Sequence, residues 1–329
     1  MSLKKIAEMT GTSPSTVSRV LNDAYPSCAS AELKEKIWAA AHEIGYVPDA
    51  GARALRKGTA EPKKPKKINV ILARGESLET DWFFRDLYRV LEAELFKAGF
   101  LTDGIIAAAD TQRIAAMECD GAIILGRCSG DLLRALQKKT KNLVGIWRNL
   151  LDYEIDEIVC DGRQAAETAM LYLRRLGHRS IGYIGDCSRE SRYVGYSEVM
   201  IRDHLPIDYH HIVSTNQTRE EGAAAMEQLL LQPDITAIFC ANDMTALGAL
   251  DVLRKMRRHS RRRISVISID DIEDACRTDP MLTTIRIPYA DMAHMAVVIL
   301  QDRMNRGHVQ KLRVEFPCQL IERESCMKA

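Results

Sequence analysis

The chain has 329 residues, 46% hydrophobic and 28% charged, with a formal net charge of +1. Single cores stop growing near ~250 residues, so a chain of this length divides into more than one domain. No run approaches the ~18 consecutive apolar residues of a membrane span, and the opening MSLKKIAEMTGTS lacks the apolar segment and small-residue cleavage site of a secretory signal, which sets membrane and secreted classes aside. The expected location is the cytoplasm.

Nine cysteines, at 28, 119, 128, 160, 187, 240, 276, 318 and 326, make no CxxC pair and have no histidine at metal-ligand spacing. They read as reduced, mostly buried thiols, with no metal site and no disulfide framework. The charge is unevenly spread: residues 1–67 carry 12 Lys and Arg against 7 Asp and Glu, and the remainder is net acidic. A basic segment on an acidic body is the electrostatic footprint of a nucleic-acid-binding module joined to something else.

In chain order, helical apolar spacing predicts three short helices over 3–10, 15–22 and 31–44. In IAEMTGTSPSTVSRVLN (6–22), Gly11 marks a turn, Ala7 allows a close crossing, and Ile6, Met9, Val17 and Val20 or Leu21 form the seam. Ser13 suits the N-cap of the second helix, with Pro14 in its first turn. That leaves Ser15, Thr16, Ser18, Arg19 and Asn22 as a polar face whose hydroxyls, guanidinium and amide suit major-groove base edges and phosphates. GTAEPKKPKK (58–67) breaks every periodicity and reads as a linker.

Beyond it, short β-rich runs alternate with amphipathic helices: INVILA (68–73), a helix over 82–98, GAIILG (121–126), LVGIW (143–147) and EIVC (157–160). The alternation restarts at SIGYIG (180–185) and continues through AIFCA (237–241) and ISVISID (264–270) to a helix over 291–303 and LRVEF (312–316). Such alternation implies parallel sheets with helices on both faces. Two successive halves imply two lobes, with a ligand cleft at the carboxyl ends of the strands.

On TVSRVLN (16–22), GYVPDAGARAL (45–55), YLRRLGHRSIGYIG (172–185), AIFCANDMTALGAL (237–250), ISVISIDD (264–271), PMLTTIRIP (280–288) and QLIERES (319–325), the chain resembles the lactose-repressor/galactose-repressor family along nearly its whole length. The resemblance implies a small all-α helix-turn-helix headpiece joined to a two-lobed α/β sensor domain like a type I periplasmic binding protein. The implied boundaries are a headpiece at 1–57 with a hinge helix at about 48–57, a linker at 58–67 and a sensor at 68–329. Within the sensor, lobe 1 is expected at about 68–161 plus 289–317, and lobe 2 at about 162–288 plus 318–329.

The resemblance also implies site residues. Pro14 and Ser15 fall where the family sets operator preference, and both are poor base readers, so Thr16 and Arg19 carry direct readout. In the hinge, Asp49 is a cap, Ala52 and Arg53 lie near the minor groove, and Leu55 is the wedge that kinks DNA. Gly51 departs from the family's bulkier helix former and weakens that hinge helix. In the sensor, Arg192, Asn242 and Asp270 are expected on ligand hydroxyls, while Asp243 and Asp271 brace strand ends. Phe83 is a candidate stacking ring, and Trp147 stands where relatives often have an Asp, either an apolar platform or simple packing.

The expected partners are operator DNA, a small carbohydrate-like effector and a second copy in a homodimer, with no membrane and no cofactor. The helix over 82–98, with Leu87, Leu91 and Leu95 at four-residue spacing, is the candidate dimer contributor from the first lobe, and only SCMKA follows the terminal strand, with no leucine heptads for tetramerisation. The basic run 254–263 reads as a solvated helix end. An enzyme is disfavoured by the absence of GxGxxG after a strand, GxxxxGK[ST], GxSxG and HExxH. The other reading is a DNA-binding repressor with a vestigial cleft, controlled by a protein partner.

Overall fold

The computed structural model describes residues 3–21, 29–44, 46, 65–73, 78, 82–148, 153–188, 190–256 and 262–329. The hinge positions Asp49, Gly51, Ala52, Arg53 and Leu55, the start of the linker, Asn22 and Cys28 lie outside them. The N-terminal helices are α1 (Leu3–Thr10), α2 (Pro14–Leu21) and α3 (Ala31–Glu43). Gly11, at φ +64°, makes the turn between α1 and α2, a backbone conformation that suits glycine. Ser13 Oγ accepts from Thr16 N–H at 3.1 Å as the cap of α2, and Ser30 Oγ accepts from Leu33 N–H at the start of α3. Ile6, Ala7, Val17, Val20, Leu21, Ile37, Ala40 and Ala41 bury the seam between the three.

The rest divides into two α/β units. The first holds a six-stranded sheet in the order β11-β5-β4-β3-β1-β2, built from β1 (Ile68–Leu72), β2 (Ile105–Ala107), β3 (Gly121–Leu125), β4 (Leu143–Trp147), β5 (Asp156–Val159) and β11 (Arg313–Glu315). β1 pairs in parallel with both β2 and β3, and β3 with β4. Every residue of β1, β3 and β4 is buried, as expected of parallel strands covered on both faces. The helices of this unit are α4 (Trp82–Lys97), α5 (Thr111–Ala116), α6 (Gly130–Gln137) and α11 (Tyr289–Met304), with α4 packed against α11.

The leucine stripe of α4 differs from expectation. Leu87, Leu91 and Leu95 are each 0% exposed. They face the unit's own interior, so any partner contact made by this helix would use its other faces; four-residue spacing on one face marks a buried stripe without saying what covers it.

The second unit has the sheet order β12-β10-β9-β8-β6-β7, from β6 (Ile181–Gly185), β7 (Ile212–Ser214), β8 (Ala237–Cys240), β9 (Ser265–Asp270), β10 (Thr283–Arg286) and β12 (Gln319–Ile321). Only the terminal strand β12 runs antiparallel, against β10; the other pairings are parallel. Its helices are α7 (Gly162–Arg175), α8 (Ser191–Arg202), α9 (Arg219–Leu229) and α10 (Asp243–Met256). Glycine lets these helices meet backbone to backbone: a Cβ on Gly195 of α8 would lie 2.5 Å from the Arg163 carbonyl oxygen of α7, and one on Gly248 of α10 would lie 2.0 Å from that of Arg219 on α9. No disulfide forms among the described cysteines, of which Cys128, Cys160 and Cys240 are buried, Cys276 is exposed and the rest are half-buried. No described helix is long and apolar enough to cross a membrane.

Candidate functional sites: a recognition helix and a charged strand-end cluster

In α2 the seam residues Val17, Val20 and Leu21 are buried, which turns the polar residues outward. Pro14, Ser15 and Arg19 are exposed, and Thr16 and Ser18 are half-buried. Ser13 Oγ lies 2.8 Å from Ser15 Oγ and 2.9 Å from Thr16 Oγ1, so the cap also orients the hydroxyls of the first turn. Arg19 lies one turn on from Ser15 and donates its Nε–H to the Ser15 carbonyl at 3.3 Å, which lays the guanidinium along the exposed face. A capped helix with hydroxyls and one free-ended guanidinium on its open side can donate to base edges and to phosphates.

The second site lies at the carboxyl ends of β6, β8 and β9. Arg192, in the first turn of α8, is 2% exposed, and all three of its donor nitrogens are engaged. Nε donates to Glu190 at 2.9 Å, Nη1 to the Ala241 carbonyl at 2.6 Å and Nη2 to Gln217 at 2.9 Å. Burial alone would raise the Glu190 carboxyl; Arg192, with Arg148 also contributing, outweighs it and holds the group down at about 2. Burial works against the Arg192 charge as well, and Glu190 and Asp270 together carry its pKa above the usual guanidinium value.

Asp270, the last residue of β9, accepts from Arg148 Nη1 in a pair whose side chains are 8% and 5% exposed. Its φ is +132°, and that of Asp271 is +59°. Two successive non-glycine residues in that region are strained backbone, held by their surroundings. The holders are visible: Asp271 accepts from Arg286 and Arg323 at 2.6 Å each, and Ile272 N–H donates to Asp243 at 2.8 Å.

Asn242 caps α10, its Oδ1 accepting from Thr245 N–H and its Nδ2 donating to the Gln217 carbonyl at 3.1 Å. Asp243 is wholly buried and accepts from the Ser268 and Thr284 hydroxyls besides Ile272. Burial, then the nearby Asp270, pushes its carboxyl up to about 7 despite those bonds. Asp243 and Asp271 are therefore braces, as their place after a strand end suggests.

Arg192, Asn242 and Asp270 thus come together, linked by Gln217 and by the charges of Glu190 and Arg148. Phe83 belongs to the first unit, where it is 4% exposed against Phe84 and Tyr289 at ring distances of 5.3 and 6.1 Å. Trp147 is 1% exposed at the end of β4, and neither ring is an open platform. Sequence reasoning missed Arg148, Glu190 and Gln217. The available signal was charge beside the singled-out positions, Arg148 directly after Trp147 and Glu190 two residues before Arg192. In the basic run, Arg254 pairs with Asp251, and Arg262 donates to the Leu230 and Ile235 carbonyls beyond the end of α9, so these two arginines serve the fold. Among the described residues no cluster of His, Cys, Asp and Glu could hold a metal ion.

A helix-turn-helix headpiece with an open recognition face, on an α/β body whose two sheets are each wound like those of periplasmic binding proteins, defines a class of DNA-binding regulator with a sensor body. The lacI family of bacterial regulatory proteins matches residues 2–49, and a periplasmic binding protein-like domain matches residues 170–326. The chain therefore carries a LacI-family helix-turn-helix domain followed by a periplasmic-binding-protein-like domain. It is similar to the transcriptional repressor CytR of Escherichia coli, 29% identical over 336 aligned positions that cover 98% of this chain and 95% of the relative. Against the probable transcriptional repressor ExuR of Bacillus subtilis it is 28% identical, covering 88% and 87%. Among solved structures, a transcriptional regulator CelR–cellobiose complex matches with a TM-score of 0.71 at 23% identity, over 99% of this chain and 100% of that one. The Lac repressor dimer bound to operator matches with a TM-score of 0.69 at 23% identity, over 99% of each.

Proposed function

We propose that this chain is a homodimeric repressor that binds a pseudo-palindromic operator through α2 and is released or retained by a small polar effector. The effector site is the carboxyl-end face of the second sheet. The observation that carries the reading is the coexistence, in one chain, of an open recognition helix with Arg192, Asn242 and Asp270 convergent at strand ends. Two strained aspartates beside those groups fit a binding site, where such backbone is usually found. CytR and ExuR, which carry repressor in their names, support the regulatory role over an enzymatic one. The carbohydrate class draws on the cellobiose and ribose found in two similar structures. A cytoplasmic, nucleoid location follows from the DNA target.

The test selects duplexes from a random pool with the full-length chain, then measures operator affinity with and without mono- and disaccharides that raise the melting temperature. A native-state ligand at 100 times its Kd stabilises by ~2.7 kcal/mol, well within reach of a thermal scan. Light scattering at micromolar concentration is expected to give a dimer; a tetramer overturns that part.

One observation favours the second reading, a vestigial sensor governed by a protein partner. Arg192, Asn242 and Asp270 already bond to protein groups. If no sugar shifts the melting temperature while operator binding is intact, that reading replaces the first.

A further inference from the structure

Phe96, in the last turn of α4, belongs to the hydrophobic cluster of the headpiece. Its ring meets Trp38 edge-on at 5.1 Å and Tyr46 at 6.0 Å, and it is 7% exposed. About two turns earlier on α4, Arg89 donates to Glu35 of α3 at 2.9 Å. Between the aromatic peg and this ion pair lies an open cavity of about 650 Å³, lined by Val20, Lys34, Ala39, Val90 and Ala93 among others. The ion pair is 54% and 69% exposed and is screened by water, so the buried Phe96 ring outweighs that pair. The peg and the ion pair use Trp38, Tyr46 and Glu35, and leave Pro14, Ser15 and Arg19 exposed.

We propose that the C-terminal half of α4 is a docking surface for the headpiece of the same chain, which orders the headpiece before DNA arrives while its recognition face stays free. A headpiece held only by its tether must lose its orientational freedom on binding; a docked one has lost part of it already, which raises operator affinity. The unsealed cavity keeps the contact small and reversible. Docking also supplies a path from the sensor. α4 starts at Trp82 after the carboxyl end of β1, and its 16 residues span ~24 Å, so a shift of its first turn reaches the headpiece through one stiff helix. This route runs beside any route through the hinge.

The test is hydrogen exchange of the full-length chain without DNA, joined to titration with a duplex selected from a random pool. Phe96→Ala is expected to speed exchange in α3 by ~10-fold or more with the amides of β1, β3 and β4 unchanged, and to weaken operator binding several-fold. Unchanged exchange in α3 overturns the docking. Tighter operator binding by Phe96→Ala shows a contact that competes with DNA and overturns the preparative role. If the sheet loosens too, charge reversal at low salt decides: Glu35→Arg and Arg89→Glu should each speed α3 exchange, and the two together should restore it. Failure of the pair to restore protection sinks the proposal.

Discussion

Arg148 and Asp270 meet as a buried ion pair at the end of β9, on a residue whose own backbone is strained. Beside them Arg192 pairs with Glu190, and the four charges act on one another: Asp270 supports the Arg192 charge, and Arg148 helps to hold Glu190 ionised. The set is electrically balanced, with two guanidinium groups against two carboxylates.

Breaking this pair from one side should be expensive. Arg148→Ala removes the guanidinium that donates to the buried Asp270 carboxylate, and a loss of ~3–5 kcal/mol in unfolding free energy is expected. Arg148→Met with Asp270→Leu removes both charges and should cost far less than the single change. Urea denaturation of the three proteins checks this; a single change costing under ~1 kcal/mol would mean that the pair is not held out of water.

Stability should fall on both sides of a mildly acidic optimum. Burial and the neighbouring Asp270 hold Asp243 at about 7, above its ordinary 3.8, so the folded state holds a proton that the unfolded state releases, and its contribution declines as pH rises from about 4 to 7. Glu190 is held at about 2 against 4.5, so its stabilisation is complete above about 4.5 and is lost as pH falls towards 2. Denaturation midpoints from about pH 5 to pH 8 should drop for the parent protein, and Asp243→Asn should flatten that slope. A variant with the parental slope would take Asp243 out of the account.

Arg19, exposed on α2, is the proposed base reader. Arg19→Ala should weaken operator binding by ~1–3 kcal/mol at fixed salt if the guanidinium reads a base. Contact with a phosphate alone would weaken all duplexes alike and lower the salt dependence. Equal affinity for parent and variant would remove the residue from the interface.

The crossing of α9 and α10 tolerates no side chain. Gly248→Ala would put a Cβ 2.0 Å from the Arg219 carbonyl oxygen, and Gly222→Ala would put one 2.3 Å from that of Thr245. Relief requires the helices to separate, at a cost of ~1–3 kcal/mol or more. Thermal unfolding should show a melting temperature lower by several degrees for each; an unchanged value would mean that the helices are not in contact there.

What could be read in the chain itself was whatever depends on neighbours along it. The capped recognition helix needs only Ser13, a seam at helical spacing and a turn glycine, all within residues 6–22. The winding of strands and helices shows as a change of period. Arg192, Asn242 and Asp270 were singled out through the family resemblance, which carries ligand positions onto this chain residue by residue. What each of these groups faces was not legible, because ion pairs are set by side chains far apart in the chain, as Arg148 and Asp270 are, 122 residues from each other. The same limit governed α4. Its apolar positions announce burial, and only the tertiary structure assigns Leu87, Leu91 and Leu95 to the interior of the first unit and Phe96 to the headpiece. The hydrophobic effect drives such side chains out of water without direction, so their partners are chosen by shape and topology once the chain has folded.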